Sequence, residues 1–242
     1  MIQFLALKFL GIFDLIHKKK MVFFLKKNNY ANFKIVFDVG AHEGETIKLC
    51  LDHFNIEKIY SFEPSHFSFE NLKKKVNKLK NKKIKTEIIL ENIALGAENK
   101  IIKIKHMNES SSSTIKELNT ESKYYKKKQK LLFNLKNRNL FNEISVQQKN
   151  LDEYISQKEI QKLDFLKIDT EGYEFEVLSG VKKNIKNIKL ILFEHHYHDM
   201  IKKNYKFGDV HDFLKKNNFE LIFKAKMPFR KTFEYIYKNK AY

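Results

Sequence analysis

From residue 34 onward, short apolar runs alternate with stretches of helical periodicity, and this alternation restricts the chain more than any other feature. Strands separated by helices need crossover connections, so the sheet they build is largely parallel, with helices on both faces. KIVFDV (34–39) is the first run and ends at a glycine-containing loop; the helix after it carries Ile47, Cys50, Leu51 and Phe54 on one face. KIYSFE (58–63) is the second. Pro64 stops it, and Ser65 is placed to cap a helix whose buried stripe is Phe69, Leu72, Val76 and Leu79. TEIILE (86–91) and IIKIKH (101–106) follow, the latter extending the sheet or forming a hairpin. LDFLKID (163–169) and KLILFEH (189–195) resume the buried pattern, with a helix between them that ends near Gly180. FELIFKA (219–225) and TFEYIYK (232–238), on either side of Pro228, read as an antiparallel hairpin.

Two regions fall outside this rhythm. Residues 107–145 hold four serines (110–113) and a Lys- and Asn-rich stretch in which Tyr124, Leu131, Leu132, Leu135 and Leu140 suggest one or two helices. This is read as an insertion or lid within a domain spanning 34–242. Residues 1–33 are read as an N-terminal helical segment. Its first part, MIQFLALKFLGIFDLI, is interrupted by Lys8 and Asp14, is too short to span a bilayer and lacks a signal-peptide layout. On a helical wheel Gln3, Gly11, Asp14, His17 and Lys18 share a narrow face opposite Leu5, Phe9, Ile12, Phe13 and Ile16. Such a helix either packs on the domain or places residues 1–20 in a membrane interface, with Lys18, Lys19 and Lys20 at the headgroups. The expected location is the cytoplasm, with the inner face of the membrane as the peripheral alternative.

The composition narrows the possible chemistry. Cys50 is the only cysteine among 242 residues, which excludes an intramolecular disulfide and a zinc–cysteine cluster and points to a reducing compartment. Lys and Arg number 47 against 29 Asp and Glu, a formal net charge of +18. A polyanionic partner would exploit that excess. The lysines, however, come in short runs with Asn and Ile at helical spacing, as solvated helix faces do.

The informative segment is Asp38-Val39-Gly40-Ala41-His42-Glu43-Gly44, where a strand turns into a helix. Glycines at 40 and 44 let backbone approach a ligand, and a strand-end carboxylate accepts hydrogen bonds from an ammonium or hydroxyl. Glu63 ends the next strand, where nucleoside sites take an acid to grip ribose hydroxyls. The loop lacks the Gly-x-Gly-x-x-Gly that cradles a pyrophosphate, so a nucleoside without a diphosphate fits better than NAD.

VFDVGAHEGE, SFEP (61–64), NIALG (92–96), Leu151-Asp152, DFLKIDTEGYEFEVLSG (164–180) and ILFEHH (191–196) occur in the order of the motifs of the FkbM family of S-adenosylmethionine-dependent methyltransferases, which the chain resembles over roughly residues 34–200. The resemblance implies a class I methyltransferase, Rossmann-like α/β fold. Its sheet is seven-stranded and mostly parallel, closed by an antiparallel C-terminal hairpin, and S-adenosyl-L-methionine is the cofactor. It also implies that Asp38, Gly40, Ala41, His42 and Gly44 line the methionine part of the cofactor, with Asp169 among the cofactor contacts. Glu63 would hold the ribose diol, Pro64 would border the adenosine, and Asn92 and Ala94 would lie beside the adenine. His42 stands where the family has Asn and still offers one hydrogen bond.

The acceptor side falls to the later strand ends, Asp169-Thr170-Glu171-Gly172 and Glu194-His195-His196. Methyl transfer to an alcohol requires alignment and removal of a proton. Asp169, Glu171 and His196 are the candidate base and orienting groups, with Glu194 holding His196 or the substrate. His196 comes first because an unperturbed imidazole titrates nearest working pH. These side chains with His195 and His198 would permit a divalent cation, but without tight ligand spacing no metal ligand is assigned. The only prolines, Pro64 and Pro228, leave no Pro-Pro-aromatic motif of the kind that serves exocyclic amines. The expected activity is therefore O-methyl transfer to a hydroxyl of a small molecule or glycan sugar. The rival reading is a nucleic-acid-binding or RNA-modifying methyltransferase using the basic surface.

Overall fold

The computed structural model describes residues 16–80, 85–107, 113–132 and 141–242. Its elements are α1 (16–27), β1 (Asn32–Val39), α2 (Glu45–His53), β2 (Asn55–Phe62), α3 (His66–Lys80), β3 (Glu87–Glu91), β4 (Ala94–Gly96), β5 (Lys100–Met107), β6 (Ser113–Thr114), α4 (Lys123–Leu132), β7 (Phe141–Asn150), α5 (Leu151–Gln157), β8 (Leu163–Ile168), α6 (Glu174–Ser179), β9 (Ile188–His196), α7 (Phe207–Lys216), β10 (Phe219–Lys226) and β11 (Thr232–Asn239). β1 and β2 are buried on both faces over their last four residues, as central strands of a covered parallel sheet are.

Seven strands form the main sheet in the order β10-β11-β9-β8-β1-β2-β3. Pairing is parallel from β3 through β9, and β11 runs antiparallel to both β9 and β10. This is the class I methyltransferase fold, with the terminal hairpin where the sequence placed it. The chain leaves β1 toward β2 and β3, then returns to β8 on the other side of β1. That reversal opens a crevice at the carboxyl ends of β1 and β8, where ligands of open α/β sheets bind.

Alternate strand residues face opposite layers. Phe37, Val39, Phe62, Leu166 and Ile191 pack with Tyr154 of α5, Val177 of α6 and Val210 of α7. Val36, Ile59, Phe165 and Leu192 face the other layer, against Leu25 of α1, Ile47 and Cys50 of α2, and Leu72 and Val76 of α3. The helical stripes expected for α2 and α3 are thus the faces that are buried.

Helix α1 buries Met21, Val22 and Leu25 on the sheet and sets the Phe24 ring 4.8 Å from that of Phe223. Each such buried side chain contributes about 1.5–3 kcal/mol, enough to hold a short helix in place. The expected helix phase needs correction at its start. His17, placed on the polar face, is 2% exposed and paired with Glu234 of β11 at 2.8 Å, whereas Ile16 faces outward. A buried carboxylate on β11 required a partner, and that requirement outweighed the apolar stripe. Expectations for residues 1–15 lie outside the described residues. No described helix is long and apolar enough to cross a membrane.

The run at 101–106 does not extend the main sheet. As β5 it pairs antiparallel with β6 and β7 in a second sheet of order β4-β7-β5-β6. Ile104 packs with Ala94 and Val146 while Ile101 is 76% exposed, a one-sided strand unsuited to a sheet covered on both faces. Strand β7 occupies the last part of the supposed insertion, and α4 supplies one of the expected helices. Ser110, Ser111, Ser112, Leu135 and Leu140, and the side chains of Leu131 and Leu132, lie outside the described residues.

Candidate active site

The loop leaving β1 is pressed against the end of β8. Gly40 has φ +81°, and a Cβ there would lie 1.9 Å from the Asp169 carbonyl oxygen, so only glycine fits. The Gly40 and Ala41 amides both donate to the Phe62 carbonyl at 3.0 Å. The next amide, of His42, donates to Glu63 Oε2 at 2.9 Å, and the Ser65 amide donates to Glu63 Oε1 at the same distance. Glu63 therefore clips two loops together and is itself only 4% exposed. Burial raises its pKa, against the pull of those two N–H groups. Asn92 Nδ2 donates to the Glu63 carbonyl at 2.8 Å and to that of Pro64 at 3.1 Å, bracing the turn from outside.

Beneath the loop lies a buried charge cluster. Lys167 Nζ is 2.9 Å from Asp38 Oδ1, 3.6 Å from Asp169 Oδ2 and donates to the Gly40 carbonyl at 3.1 Å. Burial pushes the Asp38 carboxyl above its usual range although Lys167 opposes it. Burial likewise lowers the Lys167 ammonium, but the fields of Asp38 and Asp169 prevail and raise it. Lys167 is not among the residues expected from the sequence, yet a lysine inside a strand buried along its whole length is a signal in itself, because such a charge needs a partner.

The Asp169-Thr170-Glu171-Gly172 turn is shaped by Glu174, which is fully buried. Its Oε1 accepts from the Thr170 amide at 3.2 Å and the Gly172 amide at 2.9 Å, and its Oε2 accepts from the Tyr205 hydroxyl. The second acid of the TEGYE run is thus an anchor that spacing alone did not reveal. Glu171 projects toward His196, whose Nε2 is 3.2 Å from Glu171 Oε2. His196 Nδ1 is 3.0 Å from Thr232 Oγ1 and 3.6 Å from Glu194 Oε1. Burial works against a charged imidazole here, but the hydrogen bond to Glu171 and the field of Glu194 overcome it and raise the pKa to about 9. At neutral pH His196 is therefore an imidazolium with no lone pair to accept a proton, a physical obstacle to the base role expected of it. Glu194 is raised by burial and by the field of Asp169. Burial and the Lys203 ammonium push the neighbouring His195 down to about 3. Tyr124 of α4 stacks on His198, with centroids 4.3 Å apart.

A cavity of about 410 Å³ lies over these strand ends. Of the expected residues, Gly40, Ala41, His42, Glu63, Pro64, Ala94, Asp169 and Glu171 line it. Asp38, Gly44, Asn92, Glu194 and His196 are not in its wall; they stand behind it, supporting residues that are. Thr170, from the strand end expected on the acceptor side, lines it too, and Lys18, Thr114, Ile115, Lys167 and Arg230 line it without having been foreseen. Thr114 and Ile115 come from the 107–145 stretch, and Thr114 Oγ1 donates to the Glu171 carbonyl at 3.0 Å. Among the described residues no three His, Cys, Asp or Glu side chains are arranged to hold a metal ion.

The cavity wall fits an S-adenosyl ligand. Each Glu63 oxygen spends one acceptor site on an amide and keeps another for a diol hydroxyl. Phe62, Ile93 and Leu95 offer an apolar wall for a base. The fold is that of the class I S-adenosylmethionine-dependent methyltransferases.

The Methyltransferase FkbM domain matches residues 38–221, and the chain belongs to that family of methyltransferases, whose cofactor is S-adenosylmethionine. Among solved structures, the chain is similar to the methyltransferase FkbM from Methylobacillus flagellatus KT, with 14% identity and a TM-score of 0.54 over 86% of this chain and 44% of that one. The chain thus spans less than half the length of that protein. It is also similar to the magnesium protoporphyrin IX methyltransferase from Synechocystis PCC 6803, solved with S-adenosylmethionine bound, with 8% identity and a TM-score of 0.54 over 95% and 81% of the two chains. At these identities the likeness is one of fold. No curated protein matches the chain.

Proposed function

We propose that the protein is an O-methyltransferase that acts on a hydroxyl of a small molecule or glycan sugar. The observation that carries this reading is a carboxylate, Glu171, on the cavity wall with the buried His196 ring 3.2 Å behind it. When bound, S-adenosylmethionine supplies an electrophilic methyl group on a sulfonium. The chain's own residues have to bind, orient and deprotonate. Glu63 receives the ribose diol, and the Gly40–Ala41 backbone and Asp169 border the amino-acid end. Glu171 accepts a hydrogen bond from the acceptor hydroxyl and takes its proton as the new bond forms, when that proton becomes acidic. His196 and Thr232 act through Glu171 and fix its direction; His196 is a positioning residue in this scheme, with Glu194 behind it. Among the described residues, the wall near Glu171 contains Thr114, Ile115 and Thr170.

The test is a panel of hydroxylated sugars and small alcohols incubated with S-adenosylmethionine carrying a labelled methyl group, with products read by mass. Label on an oxygen of one acceptor class is expected. Label only on amines or on RNA would refute the hydroxyl assignment.

A further inference from the structure

Ribose carries its base on C1′ and its 5′ chain on C4′, at the two ends of the edge opposite the diol, so with the diol at Glu63 the two ends of an S-adenosyl ligand diverge along the cavity. Toward β2 and β4 the wall is apolar, with Phe62, Pro64, Ile93 and Leu95. Toward β8 and the start of α1 it is charged, with Lys18, Lys167, Asp169 and Arg230. The amino-acid end, which carries a carboxylate and an ammonium, belongs on the charged side. Its carboxylate needs a cation. Lys167 is committed to Asp38, Asp169 and the Gly40 carbonyl, and Arg230 sits on the β10–β11 turn.

Lys18 differs from both. It reaches the cavity from α1, lies close enough to Asp38 for its charge to favour that carboxylate, and makes no ion pair among the described residues. Its backbone is fixed, because His17 beside it is buried on Glu234 and Met21 and Leu25 are packed into the core. We infer that Lys18 holds the carboxylate of the cofactor's amino-acid end, so that a helix outside the matched 38–221 segment completes the cofactor site. This rests on the S-adenosyl reading of the cavity and adds a subsite to it.

The experiment compares two ligands by calorimetry on the full chain. S-adenosylhomocysteine carries the amino-acid end; 5′-methylthioadenosine shares the nucleoside and lacks it. Lys18→Ala is expected to weaken S-adenosylhomocysteine at least about tenfold, the scale of one lost charge-assisted hydrogen bond, and to leave 5′-methylthioadenosine unchanged. Lys18→Arg should recover most of the loss, and the unliganded melting temperature of each variant shows that the fold is intact. An unchanged S-adenosylhomocysteine affinity in Lys18→Ala would overturn the subsite, as would an equal loss for both ligands. Failure of the unsubstituted protein to bind either ligand would instead bring down the nucleoside reading, and the subsite with it.

Discussion

The Lys167 ammonium sits 2.9 Å from Asp38 Oδ1 where the two side chains are 9% and 0% exposed, so each is the other's principal compensation for leaving water. Removing one partner of a buried pair leaves an uncompensated charge and typically costs about 3–5 kcal/mol. Lys167→Met should therefore lower the unfolding free energy by about that much in urea titrations. Because burial has already raised the Asp38 pKa, the variant should regain stability as the pH falls and Asp38 takes a proton. A loss that does not vary with pH would contradict this account.

His196 gives the unsubstituted protein its own pH signature. Its folded pKa of about 9 lies above the ordinary histidine value of 6.5. The native state therefore holds a proton that the unfolded chain has released, and stability falls as the pH rises between those values. The contribution is fully present below about pH 6.5 and lost by about pH 9. Its size is on the order of 3 kcal/mol at most, since each pH unit between the two values is worth about 1.4 kcal/mol. Thermal melts from pH 6 to 10 should show the decline, and His196→Gln should flatten it.

Gly40→Ala tests the loop's close approach. The new Cβ would meet the Asp169 carbonyl at 1.9 Å in a left-handed backbone. Backbone strain of that kind costs about 1–3 kcal/mol before the clash is added. The variant is expected to lose stability beyond that range or to splay β1 from β8, and in either case to lose S-adenosylhomocysteine binding in calorimetry.

The proposed proton acceptor is separable from its support. Glu171→Gln keeps the shape and loses the charge, so kcat should fall by about 10²–10⁴-fold with little change in cofactor affinity. His196→Gln should lower kcat less. Its rate should also stop declining toward pH 9, which a merely structural histidine would not cause. If the Glu171→Gln enzyme retained full kcat, the proton would have to go elsewhere.

Where burial and spacing act together, as in the alternating runs that became β1, β2, β8 and β9, the fold was readable from the residues. Of the residues that motifs mark at strand ends, Gly40, Glu63, Asp169 and Glu171 reach the cavity, whereas Asp38, Glu194 and His196 stand behind its wall. Contacts across long separations were not readable. The pairing of His17 with Glu234 joins residues 217 apart, and no local pattern records it. β7 escaped notice because a strand exposed on one side carries little apolar signal of its own. The proton affinity of His196 was hidden for a related reason: it is set by Glu171 and Glu194, whose distances from the ring only the folded chain determines.

The chamber has two makers. Gly40, Phe62, Glu63, Lys167 and Asp169 stand in or just after strands of the main sheet, whereas Ala94, Leu95, Ile104 and Thr114 come from the small second sheet. Lengthening or trimming β5 and β6 would reshape the wall beside Glu171 while β4, with Ala94 and Leu95, kept its place next to β7.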